Sequence, residues 1–467
     1  MRWRDIAITY VLAFVVSVAV MAALVVMKGP REPRMDEITY FKIVHDLNEH
    51  GVFTDGPFAK PGDELKPGRF LAPVYPGILH LISMVDSRLA AAVACHAKRR
   101  GQTVCPNKFG SIHLLQVLTG GTQAFFVFVI ALLLSQSIVV AWLTLTIVLA
   151  SGEFSYYSWV FLTENTAFFG FYGFLLAIVV GLKSGRTWAY ALAGIAIAFT
   201  ALTRPSFALL IYATAIALLL LSVFAKNLAP RVRFVHVAAF AMMAGLVLAP
   251  WMIRNWLQFG DPALTSGYEP LILAFRVSYN AMTLSEWAIA WIYWLPDFGD
   301  SLAKALFAPE QYERLGFRHP QSYFLQGHTV ASEAASHAQD SAGQVDYLLD
   351  NYVFNQLGKH TLVSIPITLR GLWVGKYLAI LGLLLLYPTG RLLAKRGMLV
   401  PFLAVVGALF FITILHGFVT INIPRYNTPL IALYAFVVAY MVVHWLTEAR
   451  LQRRESSVRQ RASDQPN

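Results

Sequence analysis

Charge is scarce in this sequence. Only 13% of its 467 residues are Asp, Glu, Lys or Arg, while 57% are hydrophobic. Soluble domains carry about 25% charged residues and 45–50% apolar ones. A soluble single-core protein is therefore excluded, and intrinsic disorder with it. Alternating ten-residue apolar segments, the mark of a transmembrane barrel, are also missing. The apolar runs are long and continuous, so the spans are helical. No internal repeat is visible, and the one biased stretch is a basic C-terminal tail. Cysteine is nearly absent, with two residues in the whole chain.

The balance of 37 Lys and Arg against 26 Asp and Glu gives a net charge of +11. In a soluble protein that excess points to nucleic acid. In a membrane protein it collects in short cytoplasmic loops, and its distribution along this chain favours the second explanation. The first apolar run, Ile6–Met27, follows Met-Arg-Trp-Arg and precedes Lys28. It is about 20 residues long, enough to cross a bilayer, and no small-residue cleavage site follows it. It is expected to be an uncleaved first span. Further spans are expected near 112–134, 137–152, 159–181, 188–203, 205–224, 234–252, 372–388, 398–418 and 428–446, about ten in all.

An N-terminus in the cytoplasm places Arg2, Arg4, Lys183, Arg186, Lys226, Arg231, Arg233, Arg391, Lys395 and Arg396 there. It also places the tail arginines Arg450, Arg453, Arg454, Arg459 and Arg461 on that side. Both termini are thus expected in the cytoplasm. The expected organisation is an N-terminal membrane module, 1–252, containing a first external segment, 28–111. A second external segment, 253–371, follows. The C-terminal transmembrane helices, 372–446, follow, and then a basic tail, 447–467, expected to be disordered and to face membrane lipids. Cys95 and Cys105 lie together in the first external segment. An oxidising compartment favours a disulfide between them; two free thiols are the alternative.

The first external segment carries apolar Ile38, Phe41, Val44 and Leu47 at helical spacing, predicting an amphipathic surface helix from Asp36 to about His50. A second is expected from Tyr75 to about Ala94. Asp36 and Glu37 stand where the first span emerges. Two explanations are open for them: helix-start residues that favour the dipole, or a general base at the membrane boundary. His45, Asp46, Glu49 and His50 lack the spacing of a zinc pair and are expected to form a solvated face. In the second external segment, Glu286–Pro296 is apolar, aromatic and too short to span, predicting an interfacial or re-entrant helix. Residues 308–350, with His328, Glu333, His337 and Asp340, predict polar external structure without a recognised metal spacing.

Polar residues gather at the outer turns. Tyr156, Tyr157, Thr163, Glu164 and Asn165 lie between the third and fourth spans. Arg204, Arg254, Asn255, Arg425 and Tyr426 lie at later outer turns. A carboxylate such as Glu164 is expensive at a membrane boundary unless paired or used. Each Arg alone is explained by snorkelling to phospholipid headgroups. Their shared placement with carboxylates also suits a lipid-borne phosphate, because the guanidinium fork matches phosphate oxygens.

Together these elements resemble the GT-C superfamily of membrane glycosyltransferases. The likeness is nearest to glycosyltransferase family 39, with the bacterial aminoarabinose transferase and the protein O-mannosyltransferases. It runs from the first span to the tenth. The residues that carry it are Asp36-Glu37 with Tyr40, Pro73-Val74-Tyr75-Pro76, Thr163-Glu164-Asn165 and Thr203-Arg204-Pro205. Pro250-Trp251-Met252-Ile253-Arg254-Asn255, Phe259-Gly260-Asp261-Pro262 and Arg425-Tyr426 follow in order. The resemblance implies an all-α polytopic fold with two periplasmic insertions and a sugar donor on a polyprenyl phosphate. It implies inverting displacement, with Asp36 as base and Glu37 or Glu164 as neighbouring carboxylates. Arg69, Arg204, Arg254 and Arg425 would bind the leaving phosphate, with Tyr40, Tyr75, Asn255 and Tyr426 lining the substrate site. Neither metal nor nucleotide is implied.

The second external segment is not the large soluble domain of the aminoarabinose transferase, and the Cys95–Cys105 insertion departs from the pattern. The implied partners are membrane lipids, the donor and a glycolipid, polysaccharide or protein acceptor, with no nucleic acid. The implied location is a bacterial inner membrane. The alternatives are a transporter or flippase of lipid-linked sugars, which should show inverted repeats, and a non-catalytic envelope-assembly scaffold.

Overall fold

The computed structural model describes residues 3–56, 65–98, 104–224 and 231–463. Arg2 and Lys226, assigned above to the basic side, lie outside them. The described residues contain helices and turns and no strand. The first span is α1 (Trp3–Lys28). The first inserted segment follows as α2 (Asp36–His50), α3 (Val74–Val85) and α4 (Ser87–Lys98). The bundle continues through α5 (Gly110–Ser135), α6 (Ile138–Ala150), α7 (Glu153–Trp159), α8 (Thr163–Ser184), α9 (Thr187–Ala201), α10 (Ala208–Phe224) and α11 (Phe234–Phe259). The second inserted segment holds α12 (Glu269–Val277), α13 (Leu284–Tyr293), α14 (Gly299–Leu306), α15 (Tyr323–His337), α16 (Ser341–Leu348) and α17 (Leu357–Leu372). The last helices are α18 (Tyr377–Lys395), α19 (Leu399–Val419) and α20 (Leu430–Ser463), and α20 continues as helix through the part of the tail expected to be disordered.

Each of the ten expected spans has a helix in its place. Eight are long and apolar enough to cross a membrane. The third is a bent pair, α6 and α7, turned by 52° at Ser151–Gly152. Gly152 sits there at φ +76°, a left-handed conformation that costs glycine little. The fifth, α9, is only 15 residues long and is packed against α8 and α11. The helix expected over Tyr75–Ala94 is broken in two. The Asp86 carboxylate accepts the N–H groups of Arg88 and Leu89 at 3.0 and 3.2 Å, which caps a new helix and ends the old one. Helix α2 is the helix foreseen from Asp36 to His50, with Phe41 and Val44 fully buried.

The main core is made by α5, α6, α8, α9, α10, α19 and α20, closed by α1. A second core joins α12–α15 to α17 through Tyr279, Ile289, Leu315, Tyr323 and Ile367. Short basic turns meet at one end of the bundle: Lys183 donates to the Leu133 carbonyl, Arg231 packs on Gly185, and Arg396 donates to the Ser135 carbonyl at 3.3 Å. The inserted segments gather at the other end.

Helix α9 approaches α11 so closely that a Cβ on Gly194 would strike the Phe240 carbonyl, which belongs to backbone and cannot step aside. Gly194→Ala is expected to cost about 1–3 kcal/mol. A lower thermal unfolding midpoint in lipid or detergent checks this, and an unchanged midpoint would show that the two helices separate freely.

Candidate active site

At the end of the bundle opposite the basic turns, one buried carboxylate holds two guanidinium groups. Glu164 stands in the first turn of α8 and is 1% exposed. Its Oε1 lies 2.8 Å from Arg204 Nη1 and 2.9 Å from Arg425 Nε. Arg204 precedes the turn that leads into α10, and Arg425 lies in the turn Pro424–Asn427 that leads into α20. The ring of Tyr426 lies beneath both cations, 5.4 Å from the Arg204 guanidinium and 5.8 Å from that of Arg425.

Arg425 also reaches outward. Its Nη2 is 3.5 Å from Asp36 Oδ2, and the Asp36 side chain is 59% exposed. Asp36 opens α2, so its carboxylate projects at the mouth of the cluster. The four groups balance two negative charges against two positive ones. Tyr40, one turn along α2, packs edge-on against Tyr75 with ring centroids 5.1 Å apart. Burial, and then the Glu164 charge, push the Tyr40 phenol up, so it remains protonated at neutral pH. Tyr75 is buried with a hydroxyl that has no partner among the described residues.

Glu37 occupies a different position. It is 3% exposed and pairs with Arg31. It accepts the N–H of Arg34 at 2.6 Å and that of Phe161 at 2.7 Å. These bonds tie the start of α2 to the segment before α8 and fix the direction of Asp36 next door. The role of Arg31 was not visible in the sequence, where it looked like one more basic residue after a span.

Arg69, Arg254 and Asn255 do not join the Glu164 cluster. Arg69 Nη1 donates to the Asp261 carbonyl at 3.1 Å and to Asp261 Oδ2 at 2.7 Å. Arg254 Nη1 donates to the Gly68 carbonyl and to Asn255 Oδ1, both at 2.8 Å. Both cations lie over the Phe259 ring, and Arg254 also covers Trp251 at 4.5 Å. Asn255 is fully buried and donates to the Ala263 carbonyl at 2.6 Å. The Ala263 N–H, and the Arg69 guanidinium after it, hold the Asp261 carboxyl below its ordinary range. This knot bolts the loop before α3 to the end of α11. Tyr268 connects it to the Glu164 cluster. Its ring packs on Phe70 at 5.6 Å, and burial and the nearby Tyr426 push its phenol up. The sequence pattern gave Tyr268 no distinction.

One expectation needs correction. His45 and Asp46 are not solvated: each is 7% exposed, and Asp46 accepts the Thr54 hydroxyl at 2.5 Å, pinning the chain that follows α2. Only Glu49 and His50 lie on an exposed face. The short helix expected over Glu286–Pro296 is α13, with Glu286 buried, capping its N-terminus through Thr283 and accepting the Tyr323 hydroxyl at 2.6 Å. Glu333 accepts the hydroxyls of Tyr347 and Tyr352. Among the described residues, no three His, Cys, Asp or Glu side chains come together in a way that could hold a metal. Cys95 and Cys105 form a disulfide with their Cα atoms 5.7 Å apart.

No protein-family model matches the chain, and no curated protein matches it either. Solved structures do. The archaeal oligosaccharyltransferase AglB from Archaeoglobus fulgidus, in complex with an inhibitory peptide and a dolichol-phosphate, superposes with a TM-score of 0.54 at 12% identity over 96% of this chain and 52% of that one. The Archaeoglobus fulgidus oligosaccharyltransferase in its apo form gives 0.52 at 12% identity, with the same coverage. ArnT from Cupriavidus metallidurans, bound to undecaprenyl phosphate, gives 0.37 at 12% identity over 92% of this chain and 77% of that one. The chain spans about half the length of the two archaeal structures. It shares the helical membrane fold of those two archaeal structures.

Removing Glu164 would leave two guanidinium groups facing each other in a buried site. Glu164→Gln is expected to cost roughly 3–5 kcal/mol, the usual penalty for an orphaned buried ion-pair partner. The thermal midpoint of the variant in lipid measures it; a loss below about 1 kcal/mol, the range of exposed pairs, would show that water already screens the cluster.

Proposed function

We propose that this protein is a lipid-phosphate-sugar-dependent glycosyltransferase. It transfers a sugar from a polyprenyl-phosphate donor to an acceptor on the periplasmic face of a bacterial inner membrane, with both termini in the cytoplasm. The observation that carries the proposal is the exposed Asp36 carboxylate at the mouth of the Glu164–Arg204–Arg425 cluster. The shared fold with an oligosaccharyltransferase solved with dolichol-phosphate supports it. The basic turns at the opposite end support the orientation, since short cytoplasmic loops carry the positive charge.

In this reading Asp36 accepts the proton of the acceptor hydroxyl as its oxygen attacks the anomeric carbon. The bond from that carbon to the phosphate oxygen breaks, its electron pair leaves with the lipid phosphate, and the configuration inverts. Negative charge grows on the phosphate as the bond lengthens. Arg425, half-exposed and already placed between Asp36 and Glu164, is oriented to receive it, with Arg204 behind. Glu164 is the counter-charge that keeps both guanidinium groups in place, and its burial argues against a role as base. The Arg69–Arg254 knot holds the loop that frames the site. The acceptor is a glycolipid, a polysaccharide or a protein. The residues named here do the chemistry without a metal or other cofactor.

The test is sugar transfer or release from a panel of polyprenyl-phosphate sugars by purified protein in lipid. Asp36→Asn should lower the rate about 10²–10⁴-fold, the usual contribution of a general base, while keeping the fold. Equal rates in wild type and variant would remove Asp36 from the mechanism. No turnover of any donor by folded wild type would favour a transporter of lipid-linked sugars.

A further inference from the structure

The second inserted segment contains two buried guanidinium groups that no carboxylate pairs with among the described residues. Arg276, on α12, is fully buried. Its hydrogen bonds all go to neutral acceptors: the Gly417 carbonyl at 2.8 Å, Asn280 Oδ1 at 3.1 Å, the His360 carbonyl at 3.0 Å and Ser364 Oγ at 2.6 Å. Arg370, near the end of α17, is 5% exposed. Its Nε, Nη1 and Nη2 are all buried, and none has a hydrogen-bond partner among the described residues. Its neighbours are aromatic rings: Trp294 at 4.5 Å, Phe317 at 5.3 Å and Tyr279 at 5.4 Å.

Ring faces attract a cation, but they offer no lone pairs to five N–H donors. Glu286, the buried carboxylate of α13, is already engaged by Thr283, Tyr323 and Arg314. The imidazole of His360 adds nothing negative. Burial and the Arg276 charge pull it down to about 4, so it is neutral at pH 7. The packing between α12, α13 and α17 therefore holds two buried positive charges with no carboxylate partner among the described residues. A buried charge in that condition is costly unless something completes it.

We propose that Arg370, backed by Arg276, is a binding site for a lipid-borne phosphate, separate from the Asp36 site. A planar guanidinium with all its donors free matches the oxygens of a phosphate in a bidentate pair. The lipid source follows from the walls. Trp294 caps α13, and α13 and α14 turn Leu284, Trp291, Leu302 and Leu306 outward. An exposed apolar face with Trp at its edge belongs at the headgroup level of a bilayer. The phosphate enters there and replaces a ring as the partner of the Arg370 edge. The inference does not depend on glycosyl transfer.

Equilibrium binding of radiolabelled farnesyl phosphate to the full-length protein in phosphatidylcholine nanodiscs tests it. Wild type should bind two equivalents. Arg370→Gln should leave one, and Arg425→Gln should leave the other. At the affected site the dissociation constant should rise about tenfold or more, as expected for loss of a charge-assisted pair. Arg370→Lys keeps the cation and loses the fork; it guards against misfolding of the Gln variant and should also weaken this site. Unchanged binding in both Arg370 variants overturns the proposal, as does loss of both equivalents in Arg425→Gln alone. Displacement by inorganic phosphate as effective as by unlabelled farnesyl phosphate overturns the lipid assignment. Loss in Arg370→Gln with no effect of Arg425→Gln would keep this site while removing the phosphate role given to Arg425.

Discussion

A carboxylate with 1% exposure at the end of a membrane helix has to be neutralised, and the way Glu164 is neutralised sets the geometry around it. Its two partners come from turns far apart in sequence, at Arg204 and Arg425. Satisfying one side chain thus brings the starts of α8, α10 and α20 to a common point. Tyr426 fills the space beneath both cations, so a polar knot is wrapped in an aromatic one. The three helices that meet there also share the main core. The fold and the candidate site therefore depend on the same contact.

The first inserted segment is built around a second buried carboxylate, Glu37, with a different assignment. Its oxygens are taken by Arg31 and by two backbone N–H groups. Adjacent residues on one helix therefore play opposite parts: Glu37 is consumed by structure and Asp36 is left at the surface. The helical rotation of about 100° between neighbours is what separates them. The Arg69–Arg254 knot repeats the pattern of the Glu164 cluster, with carbonyls, an Asp and aromatic faces in place of a shared Glu.

The helices were legible because apolar length and loop charge are properties of the sequence itself. All ten expected spans have a helix, and α2 begins and ends where its spacing placed it. The pairing of Cys95 with Cys105 was legible from compartment and proximity. Topology put Asp36, Glu164, Arg204 and Arg425 on one side but could not say that they touch. It could not separate them from Arg254 and Asn255, which sit on the same side and serve the loop. The break at Asp86 was missed because an apolar run on either side hid a residue able to cap. The burial of Asp46 was missed because its partner, Thr54, comes from the segment after the helix. Arg276 and Arg370 carried no signal at all, since their surroundings are assembled from α12, α13, α17 and the turns between them.

The shortness of α9 has a consequence for depth. Fifteen residues rise about 22 Å, whereas a bilayer's hydrocarbon core is about 30 Å thick. Because α9 is enclosed by α8 and α11, it does not have to match the lipid, and the mismatch falls inside the protein. The turn after it carries Arg204, so the position of that guanidinium is set by packing against α8 and α11 and not by the thickness of the lipid.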